Sequence, residues 1–261
     1  MPMVTANNAN FYYERHGAGQ PLIFISGYTS DHVSWSPQLD RLSKDYEVII
    51  FDNRGAGQTR DDGCELSAEL MADDVVALAA ALQLEKPHVI GSSMGGTIAQ
   101  QIAIRHPDKI NKLGLMVTTA KWRHSMLMGT DSSLKLRELD IDFKIQFDAI
   151  LGWVFGQEFL SKPGNIQFMW NRMVNNPFPQ SLENQKRQYN VLKNHDVTGL
   201  LHKITVPTLV MYGDEDIISL QQESKYLAKH INDSKLHMFS RGHGINSEKP
   251  KELIEAILGF F

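Results

Sequence analysis

The chain has 261 residues, of which 42% are hydrophobic and 21% are charged, and its formal net charge is −4. These values fit a globular protein with a sizeable core, and the lack of a basic block argues against binding to nucleic acid or to an anionic membrane surface. Cys64 is the only cysteine, which excludes an internal disulfide, so we expect an inert thiol in a reducing, cytoplasmic compartment. The first residues show no secretory signal pattern, and no apolar stretch is long enough to span a membrane.

Strand-like and helical segments alternate along the first 120 residues. The runs NFYYERHG and PLIFISG are predicted to form a hairpin closed by residues 17–20. YEVIIFD is a continuous apolar run that ends at Asp52, which is typical of a strand buried on both faces. A helix is predicted over residues 73–84. PHVIG and INKLGLMVTT indicate further strands, and the predicted helix between them, GGTIAQQIAIRHP, ends at Pro107.

Residues 121–201, called the helical segment below, interrupt this alternation because they carry no strand signal. The segment is rich in large apolar side chains, and we expect most of them to fill its own core and some to line an apolar pocket. Its aromatic and methionine residues of interest are Trp122, Met126, Met128, Phe143, Phe147, Trp153, Phe155, Phe159, Phe168, Met169, Trp170, Met173 and Phe178.

The alternation resumes after the helical segment. VPTLVMYGDED and SKLHMFSRGHG contain predicted strands, a helix is predicted over residues 219–230, and a last helix follows Pro250. Strands that alternate with helices favour a mostly parallel sheet with helices on both faces. The sequence therefore predicts an α/β fold in which residues 1–120 and 202–261 form the core and the helical segment is an insertion.

Side chains suited to catalysis follow three of the predicted strands. Ser93 follows HVIG, Asp214 and Asp216 follow TLVMYG, and His243 follows KLHMFSRG. In open parallel sheets, ligands bind beyond the carboxyl ends of the strands. A serine hydroxyl needs a base to remove its proton, and an imidazole base needs a carboxylate to hold its tautomer. The order serine, aspartate, histidine therefore indicates nucleophilic catalysis at one sheet edge, with two candidate carboxylates.

Four motifs together resemble those of the α/β-hydrolase superfamily over essentially the whole chain. They are the nucleophile elbow GSSMGG, which fits G-x-S-x-G, the loop FDNRGAGQT, the acid motif GDED and the histidine motif GHGINSEKP. The resemblance implies that Ser93 is the nucleophile, Asp216 rather than Asp214 the acid, and His243 the base. It also implies that the helical segment, residues 121–201, is the cap domain of the family.

The resemblance further implies an oxyanion hole made by the backbone N–H groups of Tyr28 and Met94. Met94 opens the helix after the elbow, and Tyr28 lies in the loop after LIFIS. In the family this loop reads H-G-x, whereas here Ser26 stands where the family has histidine. This departure does not affect the triad, but it leaves open how the loop is held and to which subfamily the chain is most similar.

Among capped members, the chain is similar to 3-oxoadipate enol-lactonases, the carboxylesterase of biotin synthesis and meta-cleavage-product hydrolases. The resemblance implies a serine hydrolase that cleaves a small or medium carboxylic ester or lactone through an acyl-enzyme on Ser93. No cofactor or metal is implied, and the implied partner is the small-molecule substrate. Two alternatives use the same triad, namely a C–C bond hydrolase and a cofactor-free haloperoxidase. A third alternative is a small-molecule receptor on the same fold.

The other motifs and residue types receive plainer interpretations. DNRGAG lacks a following Lys-Ser or Lys-Thr, so it is expected to be a structural turn and not a phosphate loop. The remaining histidines show no metal-ligand spacing, and most are expected at the surface or in loops. They include His16, His32, His106, His195 and His230, while His124 and His202 border the helical segment and could instead approach the pocket. One or two basic residues of the segment could pair with a substrate carboxylate; the candidates are Lys121, Arg123, Arg137, Lys144, Arg172, Lys186 and Arg187.

Overall fold

Eight strands form one sheet in the computed structural model, which describes residues 2–261. The strands are β1 (Met3–Ala6), β2 (Ala9–His16), β3 (Gln20–Ile25), β4 (Tyr46–Phe51), β5 (His88–Ser92), β6 (Leu113–Met116), β7 (Thr208–Gly213) and β8 (Ser234–Phe239). Their order across the sheet is β1-β2-β4-β3-β5-β6-β7-β8. All pairs from β4 to β8 are parallel, and the two pairs that involve β2 are antiparallel. This is the mostly parallel sheet that the sequence predicts.

The predicted hairpin between β2 and β3 is wrong, because β4 lies between them. Residues 22–25 of β3 are fully buried, so this strand takes a central position, paired with β4 on one side and β5 on the other. The hairpin of this region joins β1 to β2 instead. Its turn residues Asn7 and Asn8 have φ of 41° and 59°, the positive values that a two-residue type I′ turn requires.

Helices connect and cover the strands. The helices outside residues 121–201 are α1 (Ser36–Leu42), α2 (Ala68–Ala81), α3 (Met94–Arg105), α9 (Gln221–His230), α10 (Ile245–Glu248) and α11 (Pro250–Leu258). Helix α2 begins five residues before the predicted start because Ser67 caps it, its hydroxyl accepting the N–H of Leu70 at 3.1 Å. Of the helices in the described residues 2–261, none has the length and hydropathy needed to cross a membrane.

Both faces of the sheet are buried at its central strands, β3, β5, β6 and β7. Consecutive residues of a strand point to opposite sides. In β3, Ile23 and Ile25 belong to one apolar core, whereas Leu22 and Phe24 belong to the other. Helices α2, α3 and α9 contribute buried residues to the first core, and α1, α10 and α11 contribute to the second. The long apolar runs of the central strands thus reflect cover on both sides.

The helical segment lies between β6 and β7 and contains no strand of the sheet; the structure describes all of residues 121–201. Its helices are α4 (His124–Glu138), α5 (Phe143–Val154), α6 (Gln157–Leu160), α7 (Pro163–Val174) and α8 (Leu182–Asn194). Phe147, Leu151 and Phe155 form a small core of its own, packed by Met169 and Trp170.

Other large side chains of the segment lie either in the first core of the sheet or at the surface. Trp122 and Tyr189 belong to the first core. The exposed ones are Met128, Phe143, Trp153, Phe168, Met173 and Phe178. The segment is thus an insertion with its own small core, and its role as a cap over the site remains a prediction.

Candidate active site

The candidate residues follow β3, β5, β7 and β8, which run parallel at the fourth, fifth, seventh and eighth positions of the sheet. Their carboxyl ends therefore meet at one edge. Tyr28 follows β3, Ser93 follows β5, Asp216 follows β7 and His243 follows β8. The topology thus brings the four positions to one edge.

Ser93 has a strained backbone, with φ 55° and ψ −117°, at the junction of β5 and α3. A non-glycine residue in this region costs on the order of 1–3 kcal/mol and persists only where neighbours hold it. Its N–H donates to Met116 O at 2.9 Å, and its carbonyl accepts the Thr97 N–H at 3.1 Å and the Thr118 hydroxyl at 2.9 Å. These contacts fix the serine at the turn.

Two glycines allow strand and helix to approach closely around Ser93. A Cβ on Gly91 would lie 2.1 Å from Gly95 O, and a Cβ on Gly95 would lie 2.1 Å from Ile25 O. Neither distance is possible for a real side chain, so both positions require glycine. The loop after β3 also abuts the serine, since a Cβ on Gly27 would lie 3.2 Å from Ser93 Cβ.

His243 is paired with Asp216. Its Nδ1 lies 2.8 Å from Asp216 Oδ2, and Asp216 Oδ1 accepts the N–H groups of Ile218 at 2.8 Å and Ser219 at 3.0 Å. Asp216 is only 3% exposed, whereas Asp214 is exposed and accepts the Ser240 hydroxyl at 3.2 Å. A carboxylate beside Nδ1 favours the tautomer that carries its proton there, which leaves Nε2 free to accept a proton.

The structure does not join Ser93 to His243 by a hydrogen bond. Within residues 2–261, Ser93 Oγ has no hydrogen-bond partner, although the residue is only 8% exposed. Hydrogen bonds between a nucleophile and its base are often long without substrate and tighten in the complex. The two residues therefore lie at one edge of the sheet without a hydrogen bond between them.

Two backbone N–H groups near Ser93 lack acceptors. Met94 opens α3, and Tyr28 lies in a turn closed by the Ser30 N–H, which donates to Gly27 O at 3.2 Å. Among the described residues, neither the Met94 N–H nor the Tyr28 N–H has a protein acceptor. Free N–H groups at a helix N-terminus favour negative charge. Both predicted donors can therefore donate a hydrogen bond to an oxygen atom of a bound ligand.

Ser26 holds the loop after β3 in place of the family histidine. Its hydroxyl accepts the Trp35 Nε1–H at 3.1 Å and donates to Asp31 O at 3.0 Å, and its carbonyl accepts the Asn53 amide at 3.0 Å. These partners come from separate elements and no motif marks them. The sequence alone does not predict these contacts for that reason.

A second histidine–aspartate pair, His32 and Asp52, lies at the end of the loop that follows β3. His32 Nδ1 is 2.7 Å from Asp52 Oδ1, which also accepts the His32 N–H at 2.8 Å. Burial lowers the pKa of His32, but the hydrogen bond and charge of Asp52 outweigh it and raise the pKa above its usual value. His32 and His195 are both buried, so a surface position is wrong for them, although His195 does lie in the loop after α8.

The helical segment contacts the loops that carry the site. Gln188 of α8 accepts the Thr29 N–H at 3.2 Å and donates to Arg54 O at 2.9 Å. At the α5–α6 junction, Val154 O accepts the Gly244 N–H at 2.9 Å, and Glu248 accepts the Gly156 N–H at 3.1 Å. The junction is therefore docked on the loop that carries His243.

The other residues singled out in the sequence have no reactive partner near the site. Arg54 of the DNRGAG turn is buried and donates to Asp74 at 2.7 and 2.9 Å. Cys64 is half-buried, and burial together with Asp62 raises the pKa of its thiol. His124 and His202 are exposed at the borders of the helical segment. None of these features adds a reactive group to the site.

Comparisons with known proteins point to one family. The sequence model of the family described as alpha/beta hydrolase fold matches residues 20–250. RutD of Rhizobium rhizogenes, provisionally named a carbamate hydrolase, is 27% identical over 95% of this chain and 97% of its own length. The 3-oxoadipate enol-lactonase 1 of Acinetobacter baylyi is 25% identical over 92% of this chain and 87% of its own. The crystal structure of the enol-lactonase from Burkholderia xenovorans superposes with a TM-score of 0.87 at 21% identity, covering 99% of each chain.

Proposed function

This chain belongs to the α/β-hydrolase family, and on that premise we propose that it is a serine hydrolase that cleaves small or medium carboxylic esters or lactones. The observation that carries the proposal is the 2.8 Å contact between His243 Nδ1 and the buried Asp216, at the same sheet edge as the strained Ser93. A relative named as an enol-lactonase supports the ester or lactone class.

In the proposed reaction, His243 Nε2 takes the proton of Ser93 Oγ as the oxygen attacks the substrate carbonyl. The N–H groups of Tyr28 and Met94 bind the oxyanion, each worth roughly 2.7–4 kcal/mol in the transition state. The C–O bond to the leaving group breaks as His243 returns the proton to that oxygen, which leaves an acyl ester on Ser93. Asp216 keeps the imidazole in its tautomer and stabilises the imidazolium.

Water completes the proposed cycle. His243 removes a proton from the water, whose oxygen attacks the acyl-enzyme carbonyl in the same oxyanion site. The bond to Ser93 Oγ breaks, the serine regains its proton from His243, and the carboxylic acid leaves. The cycle needs no cofactor.

Labelling of the nucleophile tests the assignment of Ser93. A fluorophosphonate probe should label the wild type and Ser92→Ala but not Ser93→Ala, because only Ser93 occupies the elbow. Turnover of p-nitrophenyl butyrate by Ser93→Ala should fall by several orders of magnitude, to roughly 10³-fold over water. If that variant keeps more than a tenth of wild-type turnover, the nucleophile is another residue. Labelling without turnover on any ester would favour the receptor alternative.

A series of p-nitrophenyl esters from acetate to palmitate tests the substrate size. Esters with acyl groups of about two to eight carbons should have the highest kcat/KM, because an enclosed pocket of ordinary size excludes longer chains. Palmitate as the best substrate would contradict the enclosed pocket and favour an open lipase groove.

A further inference from the structure

Gln188 of α8 is a fully buried polar side chain of the helical segment, and both ends of its amide are bonded to loops at the edge of the sheet that carries the site. Its Oε1 accepts the Thr29 N–H at 3.2 Å, in the loop after β3. Its Nε2 donates to Arg54 O at 2.9 Å, in the loop after β4. A buried amide is unfavourable unless its polar atoms are paired, so these two bonds fix the side chain between the loops.

Thr29 lies in the turn of residues 27–30, in a conformation that is unusual for threonine. The Ser30 N–H donates to Gly27 O at 3.2 Å, and Thr29 has φ 60°, whereas the φ of Tyr28 is not positive. A four-residue turn with a positive φ at its third residue alone is a type II turn, where glycine or asparagine is usual at that place. A β-branched residue is strained there, so the turn needs support from its neighbours.

The bond to Gln188 supports the peptide group that distinguishes this turn from its relaxed alternative. Turns of types I and II differ by a reversal of the central peptide, here the carbonyl of Tyr28 and the N–H of Thr29. The reversal would give Thr29 a φ of about −90°, which removes the strain, but it would turn the N–H away from Gln188. Within residues 2–261, Gln188 Oε1 is the only acceptor of this N–H. Gln188 therefore favours the type II form.

The other contacts of the loop hold its ends. The Ser26 hydroxyl donates to Asp31 O at 3.0 Å, and the His32 N–H donates to Asp52 Oδ1 at 2.8 Å. Neither bond involves the central peptide of the turn. The side chain of Thr29 is exposed, so packing does not hold this peptide either. Among the described residues, the amide from α8 is the contact that orients it.

The same turn carries the Tyr28 N–H, the proposed oxyanion donor, and it lies against the nucleophile. A Cβ on Gly27 would lie 3.2 Å from Ser93 Cβ. The central peptide begins at Tyr28, so a change of turn type rotates the backbone directly after the donor and loosens its position. An oxyanion donor must lie about 2.7–3.1 Å from the place where the negative charge develops, and a misplacement of about 1 Å costs on the order of 10²-fold in rate.

We propose that Gln188 is a positioning residue of the oxyanion hole, which holds the turn of residues 27–30, and with it the Tyr28 N–H, in the form that binds the oxyanion. This inference rests on the proposed serine hydrolase function. Because Gln188 belongs to α8, the helical segment acts on catalysis through this bond without contact to the reacting atoms. The oxyanion exists only in the transition state and the intermediate, so the effect belongs to kcat and not to KM.

Gln188→Met tests the proposal, because methionine has a similar volume but cannot bond to either loop. With p-nitrophenyl butyrate, kcat should fall about 10- to 100-fold and KM should change less than about threefold. The reason is that a misplaced donor loses part of the roughly 10²- to 10³-fold effect of a deleted one. Gln188→Asn is the second variant. Its amide is one methylene too short to span both loops, so kcat should fall in the same way.

Gln180→Met is the matched control. Gln180 is another glutamine of the helical segment, and its Nε2 donates to Gly55 O at 2.7 Å, in the loop after β4. Its Oε1 has no partner within the described residues, so it does not hold the turn of residues 27–30. This control removes the same kind of anchor between the segment and the core, and it should keep kcat within about threefold of the wild type.

Thr29→Gly separates positioning from a loss of stability. Glycine adopts a positive φ without strain, so this change in the Gln188→Met background should raise kcat at least about threefold. Urea unfolding shows that the variants are folded, and Gln188→Asn carries the same comparison if Gln188→Met is not.

Two results overturn the assignment of Gln188. One is a wild-type kcat in a folded Gln188 variant, and the other is a loss of kcat that Thr29→Gly does not reverse. If the wild type neither cleaves the ester nor reacts with the fluorophosphonate at Ser93, the proposed hydrolase function fails instead.

Discussion

Two aspartates separated by one residue follow β7, and the structure gives them different surroundings. Asp216 is buried against His243, whereas Asp214 is exposed and contacts Ser240. Asp216→Asn should therefore lower kcat for p-nitrophenyl butyrate by about 10⁴-fold, because the amide favours the wrong imidazole tautomer. Asp214→Asn removes the same charge and should alter kcat less than threefold. A reversed order of the two losses would make Asp214 the acid.

The sequence predicts those positions that short motifs encode. The position of Ser93 follows from glycines within two residues of it, because their close contacts create the turn. The partners of Ser26 could not be predicted in this way. Trp35 and Asn53 reach Ser26 from separate parts of the chain, and only the folded sheet brings the three together.

The order of the strands across the sheet was less predictable than their positions in the sequence. The short link between β2 and β3 is the usual local signal of a hairpin. It is overridden because β3 is apolar throughout its buried part and gains a parallel neighbour on each side. A Cβ on Gly17 would lie 2.1 Å from Ser43 O, so the link passes tightly against the residues that precede β4. Pairing between distant strands, not the turn, decides the topology here.

The α5–α6 junction packs closely against the loop that carries His243. A Cβ on Gly244 would lie 2.6 Å from the Phe155 ring, although the backbone of Gly244, with φ −84°, suits any residue. Gly244→Ala should therefore push the junction away from the loop beside His243. We expect a loss of about 1–3 kcal/mol in stability from overpacking. We expect a roughly 10- to 100-fold loss in kcat, because the base is displaced.

Two further variants separate this effect from a general loss of stability. Gly164→Ala lies in the same helical segment with nothing within 4 Å of the added Cβ, and it should keep wild-type kcat. The double variant Gly244→Ala with Phe155→Leu relieves the clash and should recover most of kcat. Stopped-flow kinetics measure kcat, and urea unfolding measures stability. An unaltered kcat in Gly244→Ala would show that the junction does not position His243.

Two buried histidines, His88 and His195, make the stability of the fold depend on pH. Burial, with a smaller contribution from Lys112, lowers the pKa of His88 to about 4. Burial likewise lowers the pKa of His195 to about 4, against the weaker opposite effects of Glu69 and Asp196. Neither ring nitrogen of His195 has a protein partner within the described chain. Both rings are therefore neutral in the fold at pH 7, and they belong to different parts of it, β5 and the residue after α8.

The unfolded chain binds protons at these histidines near pH 6.5, whereas the folded chain does so only near pH 4. The stability that the neutral rings contribute is therefore fully present above pH 6.5 and is lost as the pH falls towards 4. At pH 5 each histidine has lowered the free energy of unfolding by about 2 kcal/mol.

His195→Leu should be at least as stable as the wild type at pH 7, since it buries no unpaired nitrogen. When the pH is lowered from 7 to 5, the free energy of unfolding of this variant should rise by about 2 kcal/mol relative to that of the wild type, as measured by urea unfolding. His202→Gln, an exposed control, should show no such gain. Parallel pH profiles for the wild type and His195→Leu would show that His195 is protonated equally in both states.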